Sequence, residues 1–404
     1  LINSKNLLSL IKGRRIPQIK TQIMNFNLTE KQQEIQRIAR EFAERELLPG
    51  VIERDENSEF ATEHFRKLGK LGFFGLTADP EYGGKGLDSL SFTLAIEEIS
   101  KVDPAVSVVL SVCNSLVNHV IEKFGREEAK SKYLPKLTSG EYIGAFLLSE
   151  PDASSDAGAQ STLAEDKGDH YLINGTKKWI TNAKNASVYI VIAQSNPSQK
   201  YRGINAFLVE KELPGISLGP NENKMGMRSS DTHDVYFKDV MVPKENLLGR
   251  EGEGFSIAMR ALESGRIGIA AQATGIAAGA FELALKYSKT RKTFGTEICN
   301  HQAISFKLAD MAVKIENARN LYRKAAWMKD AGKPYGLAGS MAKQYCADIA
   351  MEVTTEAVQI HGGYGYIKEF RVERLMRDAK VTQIYEGTSE IQKIVISREL
   401  IQNS

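Results

Sequence analysis

Apolar positions between residues 26 and 145 recur with helical spacing. Thr29-Glu30 opens a stretch that carries Ile35, Ile38, Ala39, Phe42 and Ala43 on one face, the pattern of a helix packed on one side. The same spacing predicts helices over residues 63–71, 90–100, 105–124 and 126–137, with Glu81-Tyr82-Gly83-Gly84-Lys85-Gly86 as a loop between two of them. Near Phe146 the period changes. From there to residue 245, β-type runs at 171–173, 189–193, 205–209 and 235–237 are bounded by Gly, Asn, Asp and Pro, with turns predicted at Asn174-Gly175 and Pro214-Gly215. A small sandwich or barrel of roughly one hundred residues fits that spacing. Helical spacing returns after Gly254: Leu308, Met311, Ala312, Ile315, Ala318, Tyr322 and Ala325 share one stripe. Residues 268–286 hold enough Ala and Gly for helices to approach closely.

A last change falls at Tyr385-Glu386-Gly387-Thr388-Ser389-Glu390. Val381, Thr382, Ile384 and Tyr385 predict extended chain before it, and Ile391, Ile394, Val395 and Leu400 a helix after it. Glu386 then stands just ahead of a helix start, where Thr388 and Ser389 are capping residue types and the first N–H groups lack intrahelical partners. On local grounds it is either a base set beside a nest of donors or an acid favoured by the helix dipole.

The layout is α+β in four parts: a leader (1–23), an N-terminal all-α domain (24–145), a middle β-domain (146–255) and a C-terminal helical bundle (256–404). The net charge of +3 arises in the leader, since residues 1–29 carry Lys5, Lys12, Arg14, Arg15 and Lys20 and no acid, leaving 48 basic against 50 acidic residues elsewhere. That balance gives no support for nucleic-acid binding. The leader reads either as a mitochondrial transit segment or as upstream sequence before Met24. No stretch is expected to supply the eighteen or so apolar residues of a membrane span. Cys113, Cys299 and Cys346 are far apart and the six histidines scattered, so neither a disulfide framework nor a metal site is expected. A Rossmann fingerprint, a P-loop and a GxSxG elbow are all missing.

Five segments together match one family. They are Ser149-Glu150-Pro151-Asp152-Ala153-Ser154-Ser155-Asp156-Ala157-Gly158, then Lys178-Trp179-Ile180-Thr181-Asn182, then Arg291-Lys292-Thr293-Phe294-Gly295 with Gln302. Gln359-Ile360-His361-Gly362-Gly363-Tyr364-Gly365-Tyr366 follows, with Glu369, Arg374, Arg377 and Asp378 at fixed intervals, and Tyr385 to Glu390 close the series. From about Asn25 onward the chain resembles the acyl-CoA dehydrogenases, most closely their short-chain (butyryl-CoA) branch. Asp152 and Ser154 replace glycines common in the family, Arg371 stands where Pro is usual, and His361 where Leu or Phe is frequent.

The resemblance implies an N-terminal helical domain, a middle β-domain and a C-terminal four-helix bundle. It implies FAD between the last two, a homotetramer built as a dimer of dimers, and electron-transfer flavoprotein as electron acceptor. Leu148, Ser149, Trp179, Ile180 and Thr181 would surround the flavin ring. Arg291 would meet the pyrophosphate, and Phe294, Gln302, Gln359, Gly362 and Gly363 would line the cofactor of an adjacent subunit. Thr388, Ser389 and Glu390 would complete the FAD site. Ser155, Glu263, Arg266 and Gly387 would hold or brace the acyl-CoA, with a Glu263–Arg266 salt bridge as the structural alternative; the family usually has Asp at 263. Other branches take their base from the position matching Gly265, so here the α-proton base would be Glu386, with flavin N5 accepting the β-hydride to give the trans-2-enoyl-CoA. Alternatives on the same fold are an enoyl-CoA reductase working in reverse and a non-catalytic assembly protein. Residues 265–269 look short-chain-like and residues 301–306 medium-chain-like, with the pocket floor expected from helices near residues 94–100. The implied location is soluble and intracellular: the mitochondrial matrix if the leader is a transit segment, otherwise a bacterial-type cytoplasm.

Overall fold

The computed structural model describes residues 26–402, so the leader lies outside the described residues. Helix α1 (Glu30–Phe42) starts at a capping box in which Gln32 N donates to Thr29 Oγ1 (3.3 Å) and Thr29 N to Gln32 Oε1 (2.9 Å). Short helices α2 (Val51–Glu56) and α3 (Thr62–Lys70) lead to α4 (Ser89–Ser100), which is buried along nearly its whole length. Helix α5 (Pro104–Ser111) runs through a π-helical segment, Val112–Asn118, into α6 (His119–Phe124), and α7 (Glu127–Thr138) ends the N-terminal helices.

The middle sheet has eight strands: β1 (Gly144–Leu147), β2 (Leu163–Asp166), β3 (His170–Thr181), β4 (Val188–Gln194), β5 (Ile204–Glu210), β6 (Ile216–Leu218), β7 (Thr232–Pro243) and β8 (Leu247–Leu248). Its order is β6-β7-β3-β2-β4-β5-β8, and β1 pairs in parallel with β4. Strands β4 and β5 are buried on both faces. Tyr189, Val191, Phe207 and Val209 fill the β-domain core, while Ile190, Ile192, Ala206 and Leu208 pack against helices. That is why these two runs read as continuously apolar. Pro214-Gly215 does turn the chain, with Gly215 at φ +92°. Asn174-Gly175 does not. It lies inside β3 at a register shift opposite β7, where a β-carbon on Gly175 would stand 2.6 Å from Thr162 Cα. The glycine answers a close backbone approach rather than a hairpin.

Helix α8 (Gly254–Ser288) is followed by a two-residue hairpin of β9 (Lys292–Thr293) and β10 (Thr296–Glu297), then α9 (Gln302–Asp330) and α10 (Gly336–His361). The fourth bundle member comes in two pieces, α11 (Val372–Thr382) and α12 (Ser389–Gln402), both packed on α10. Val381 and Thr382 therefore end a helix, against the extended chain expected there. Their β-type side chains are tolerated because α11 is held by tertiary packing, which overrides propensity. Ala312 is exposed although the rest of its stripe is buried. The expectation about membrane spans is also corrected. The segment Pro104–Phe124 and helix α8 are long and apolar enough to cross a bilayer, but 94% and 83% of their most apolar windows are buried inside the protein. Small residues make this burial possible: a β-carbon on Gly275 would overlap Glu97 O, and one on Gly279 would overlap Lys101 O. One apolar core thus joins α1, α4 and α5 to the bundle.

Candidate active site

Between α11 and α12 the chain makes a tight turn in which Glu386 (φ +52°) and Gly387 (φ +90°) are both left-handed. A non-glycine residue in that region costs free energy and persists only when its surroundings hold it. Here they do. Ser389 N donates to Gln383 O (2.9 Å), Gln392 Nε2 to Glu386 O (3.2 Å) and Gly387 O (3.0 Å), and Lys343 Nζ to Gly387 O (2.6 Å). Thr388 Oγ1 caps α12 by accepting from Ile391 N (3.2 Å), and Ser389 Oγ donates to Asp348 Oδ1 (3.0 Å). Glu390 points outward, exposed.

The turn aims the Glu386 side chain at α8, where a β-carbon on Gly265 would overlap Oε2. That oxygen is closed off from solvent and has no hydrogen-bond partner among the described residues. Burial pushes the carboxyl pKa up to about 7, against the pull of Lys343 and Arg266. Lys343, buried beside it, is brought down to about 8 by the same desolvation. Arg266 donates to Ser340 Oγ (3.3 Å) and lies within the electrostatic reach of Glu263, but no direct Glu263–Arg266 ion pair forms among the described residues. Tyr385 OH donates to Gln272 Oε1, and Gln272 Nε2 in turn donates to Pro104 O (2.9 Å) and Ser107 Oγ (3.0 Å). The apolar side chain beside the carboxylate is Leu116, 3.0 Å from the β-carbon position of Gly265. Residues 94–100, where the pocket floor is expected, pack on α8 near Gly275, roughly 15 Å along the helix from Gly265.

A second group lies on the β-domain. Leu148 is buried just past β1, and Ser149 O accepts from Lys178 N (2.8 Å). The register of β3 shifts between Lys177 and Ile180, and this bulge turns Trp179 outward, 50% exposed at φ +57°. Ile180 points into the β-domain core, so only its backbone faces the surface Trp179 faces. Thr181 is half-buried, and Ser155 is exposed on the loop after β1.

The third group sits at the far end of α8, roughly 35 Å from Gly265 along the helix axis. Phe294-Gly295 forms the left-handed tip of the β9–β10 hairpin (φ +52° and +83°), a two-residue turn of the primed type. It leaves Phe294 99% exposed. Arg291, Gly362 and Gly363 line a cleft of about 540 Å³ with Tyr287, His361 and Tyr364. Among the described residues Arg291 has no carboxylate partner; the Tyr364 ring lies 5.9 Å away, and β-carbons on Gly362 and Gly363 would meet open space. Gln302 and Gln359 are exposed nearby. Within one chain this third group does not meet the Glu386 group.

Lys343, Gln272 and Leu116 were not among the sequence candidates. Their helices read as core, and only the fold shows that Lys343 and Leu116 lie beside Glu386 and that Gln272 holds its neighbour Tyr385. The π-helical segment carrying Leu116 is a feature often found at functional sites.

Comparison with known proteins matches three family models: Acyl-CoA dehydrogenase, N-terminal domain (residues 29–141), middle domain (145–240) and C-terminal domain (252–401). The chain is 49% identical to the short-chain specific acyl-CoA dehydrogenase of Clostridium acetobutylicum, over 94% of this chain and 100% of that one. It is 45% identical to an acryloyl-CoA reductase (NADH) of Anaerotignum propionicum, over 94% of this chain and 96% of that one. The solved structure of butyryl-CoA dehydrogenase from Megasphaera elsdenii superposes with a TM-score of 0.92 at 48% identity, covering 94% of this chain and 100% of that one. With these matches along almost its whole described length, the chain belongs to the acyl-CoA dehydrogenase family.

Proposed function

We propose that this chain dehydrogenates short-chain acyl-CoA thioesters to their trans-2-enoyl-CoA products, with Glu386 as the α-proton base. One observation carries the reading. A carboxylate is held in a left-handed turn, its Oε2 buried and unpartnered among the described residues, against Gly265 of α8, which has no side chain. An α-proton of a thioester is weakly acidic. Its removal needs a base whose pKa is matched to the working pH and donors for the developing enolate. Glu386, raised to about 7, is such a base. Its own N–H has no acceptor among the described residues and is available as a donor to the thioester oxygen. Leu116 and Tyr385 supply apolar and aromatic surface beside the carboxylate and keep water from it. Arg266 and Gly387 would brace the turn, and Glu263 and Ser155 would hold the CoA moiety.

The protein's groups fit FAD. An unpaired guanidinium next to two open glycine backbones is a donor set for a pyrophosphate. An exposed tryptophan, held out of its strand beside the Leu148–Ser149 turn, offers a flat wall for a flavin ring. When bound, FAD would supply the two-electron acceptor for the β-hydride. Leu148, Ser149, Trp179, Ile180 and Thr181 would hold its ring, with Thr388, Ser389 and Glu390 at the α12 start. Arg291, Phe294, Gln302, Gln359, Gly362 and Gly363 would hold the far end of a neighbouring subunit's cofactor, a reading their distance from Glu386 within one chain supports. A homotetramer passing electrons to electron-transfer flavoprotein completes the reading.

The test is optical. The purified protein should be yellow and should bleach anaerobically with butyryl-CoA, faster than with C6, C8 or branched acyl-CoAs. A flavin that no saturated acyl-CoA reduces would overturn the proposal. Similarity to the acryloyl-CoA reductase favours one second reading, reduction of an enoyl-CoA at the same site. There a protonated Glu386 would return the α-proton, and crotonyl-CoA would reoxidise the reduced protein faster than butyryl-CoA reduces it.

A further inference from the structure

Beneath the Leu148–Ser149 turn lies a closed cluster of charges that touches no part of the proposed substrate path. Lys177 is fully buried, and its ammonium donates to Glu150 Oε1 (2.7 Å), Gln160 Oε1 (2.5 Å) and Leu148 O (3.2 Å). All three of its donors are used. Glu150, equally buried, accepts from Ser161 N and Ser161 Oγ (2.6 Å each) at Oε2 and from Thr162 N (3.1 Å) at Oε1. The pair is fully satisfied, so it is tolerated. Stability alone does not explain it, because a buried ion pair is often matched or bettered by apolar residues of the same volume.

What the cluster ties together explains it better. The turn after β1 (residues 148–150), the segment entering β2 (160–162) and strand β3 all converge on one ammonium group. Lys177 stands two residues before Trp179, on the inward side of the register shift that turns Trp179 out. The backbone bond from Lys178 N to Ser149 O (2.8 Å) runs beside it. Thr162 is held from the other side by the close approach of Gly175. With its alternation broken at the bulge, β3 by itself does not set where Trp179 stands relative to Leu148 and Ser149. The Lys177 ammonium, with the Lys178 N–Ser149 O hydrogen bond beside it, ties the strand to that segment.

We propose that Lys177 is a positioning residue for the flavin, fixing the spacing between the Leu148–Ser149 turn and the left-handed Trp179 from behind both. This rests on the proposed flavin site, so wild-type protein comes first. If it binds no FAD, that reading fails together with this one. Given FAD binding, Lys177→Met and the charge-neutral double variant Lys177→Met with Glu150→Gln are measured for FAD affinity, visible circular dichroism of the bound flavin and its reduction potential. The single variant leaves a carboxylate buried and unpaired; the double variant does not, and it carries the test should the single one fail to fold. The expected result is a double variant with wild-type far-ultraviolet dichroism, an FAD dissociation constant raised about tenfold or more and an altered visible dichroism. Lys177→Arg should not rescue it, because a planar fork cannot reach the same three acceptors. A folded double variant with wild-type affinity, visible dichroism and potential would overturn the proposal and leave the flavin site intact. A double variant that cannot fold would overturn it too, by assigning the cluster to stability.

Discussion

Glu386 is a residue whose placement works against the stability of the chain that carries it. Its ordinary pKa is 4.5, and burial raises it to about 7. Between those values the folded state holds a proton that the unfolded chain has released. The group's contribution to stability therefore falls as pH rises from about 4.5 to about 7 and stays low above that. Activity has the opposite sign, since the base must be ionised. We predict that kcat/KM for butyryl-CoA rises along a limb centred near pH 7. Glu386→Gln should lower turnover roughly 10²- to 10⁴-fold while raising the melting temperature at pH 8 and changing it little at pH 4.5. A variant that is less stable at pH 8 would contradict this account. Lys343 is the stronger of the two cations, with Arg266, that hold Glu386 down, so Lys343→Met should move the activity limb to higher pH; a pH–rate profile decides. In the sequence Glu386 was legible as a base only through the family resemblance, and its raised pKa was not legible, because a pKa depends on what faces the side chain and Lys343 lies 43 positions away.

At the scale of elements, α8 carries two separate demands, and both are met by missing side chains. Gly275 and Gly279 let α4 lie against it, and Gly265 leaves room for the carboxylate. Gly275→Ala would force a methyl into the Glu97 carbonyl, and overpacking of that kind costs about 1–3 kcal/mol; a lower urea midpoint is expected with kinetics unchanged in the folded fraction. Gly265→Ala should do the reverse. Its methyl meets the movable end of Glu386, so stability holds and turnover falls at least about tenfold, as steady-state rates would show. The small-residue composition of α8 was readable, but which glycine served packing and which served the site was not. The strands were legible where both faces are buried. They were misread at Asn174-Gly175 and at Val381–Thr382, where a bulge and a packed helix end overrode local preference.

For the whole molecule, one charge network joins the three parts. Asp103, fully buried, accepts from Arg54 Nη2 and Arg374 Nη2 (3.1 Å each), and Arg374 Nε donates to Asp378, whose other oxygen takes Met227 N (2.5 Å) from the β-domain. Asp103→Asn would leave two guanidinium groups facing each other in the interior, a change that costs about 3–5 kcal/mol. Chemical denaturation should show it as a large loss of midpoint, more than any surface ion pair would give. A midpoint within experimental error of wild type would mean that the network does not hold the parts together.

The sequence by itself determined the helix–sheet–helix order, the capped start of α12 and the family. Periodicity, capping residues and five spaced motifs are local properties of the chain. Only the tertiary structure decided that Trp179, Phe294 and Glu386 are left-handed, that Gly265 faces the carboxylate, and that Arg291 lies beyond the C-terminal end of α8, far from it. Those facts depend on contacts between segments far apart in sequence, and burial and distance, which set both pKa and reach, are settled only where such segments meet.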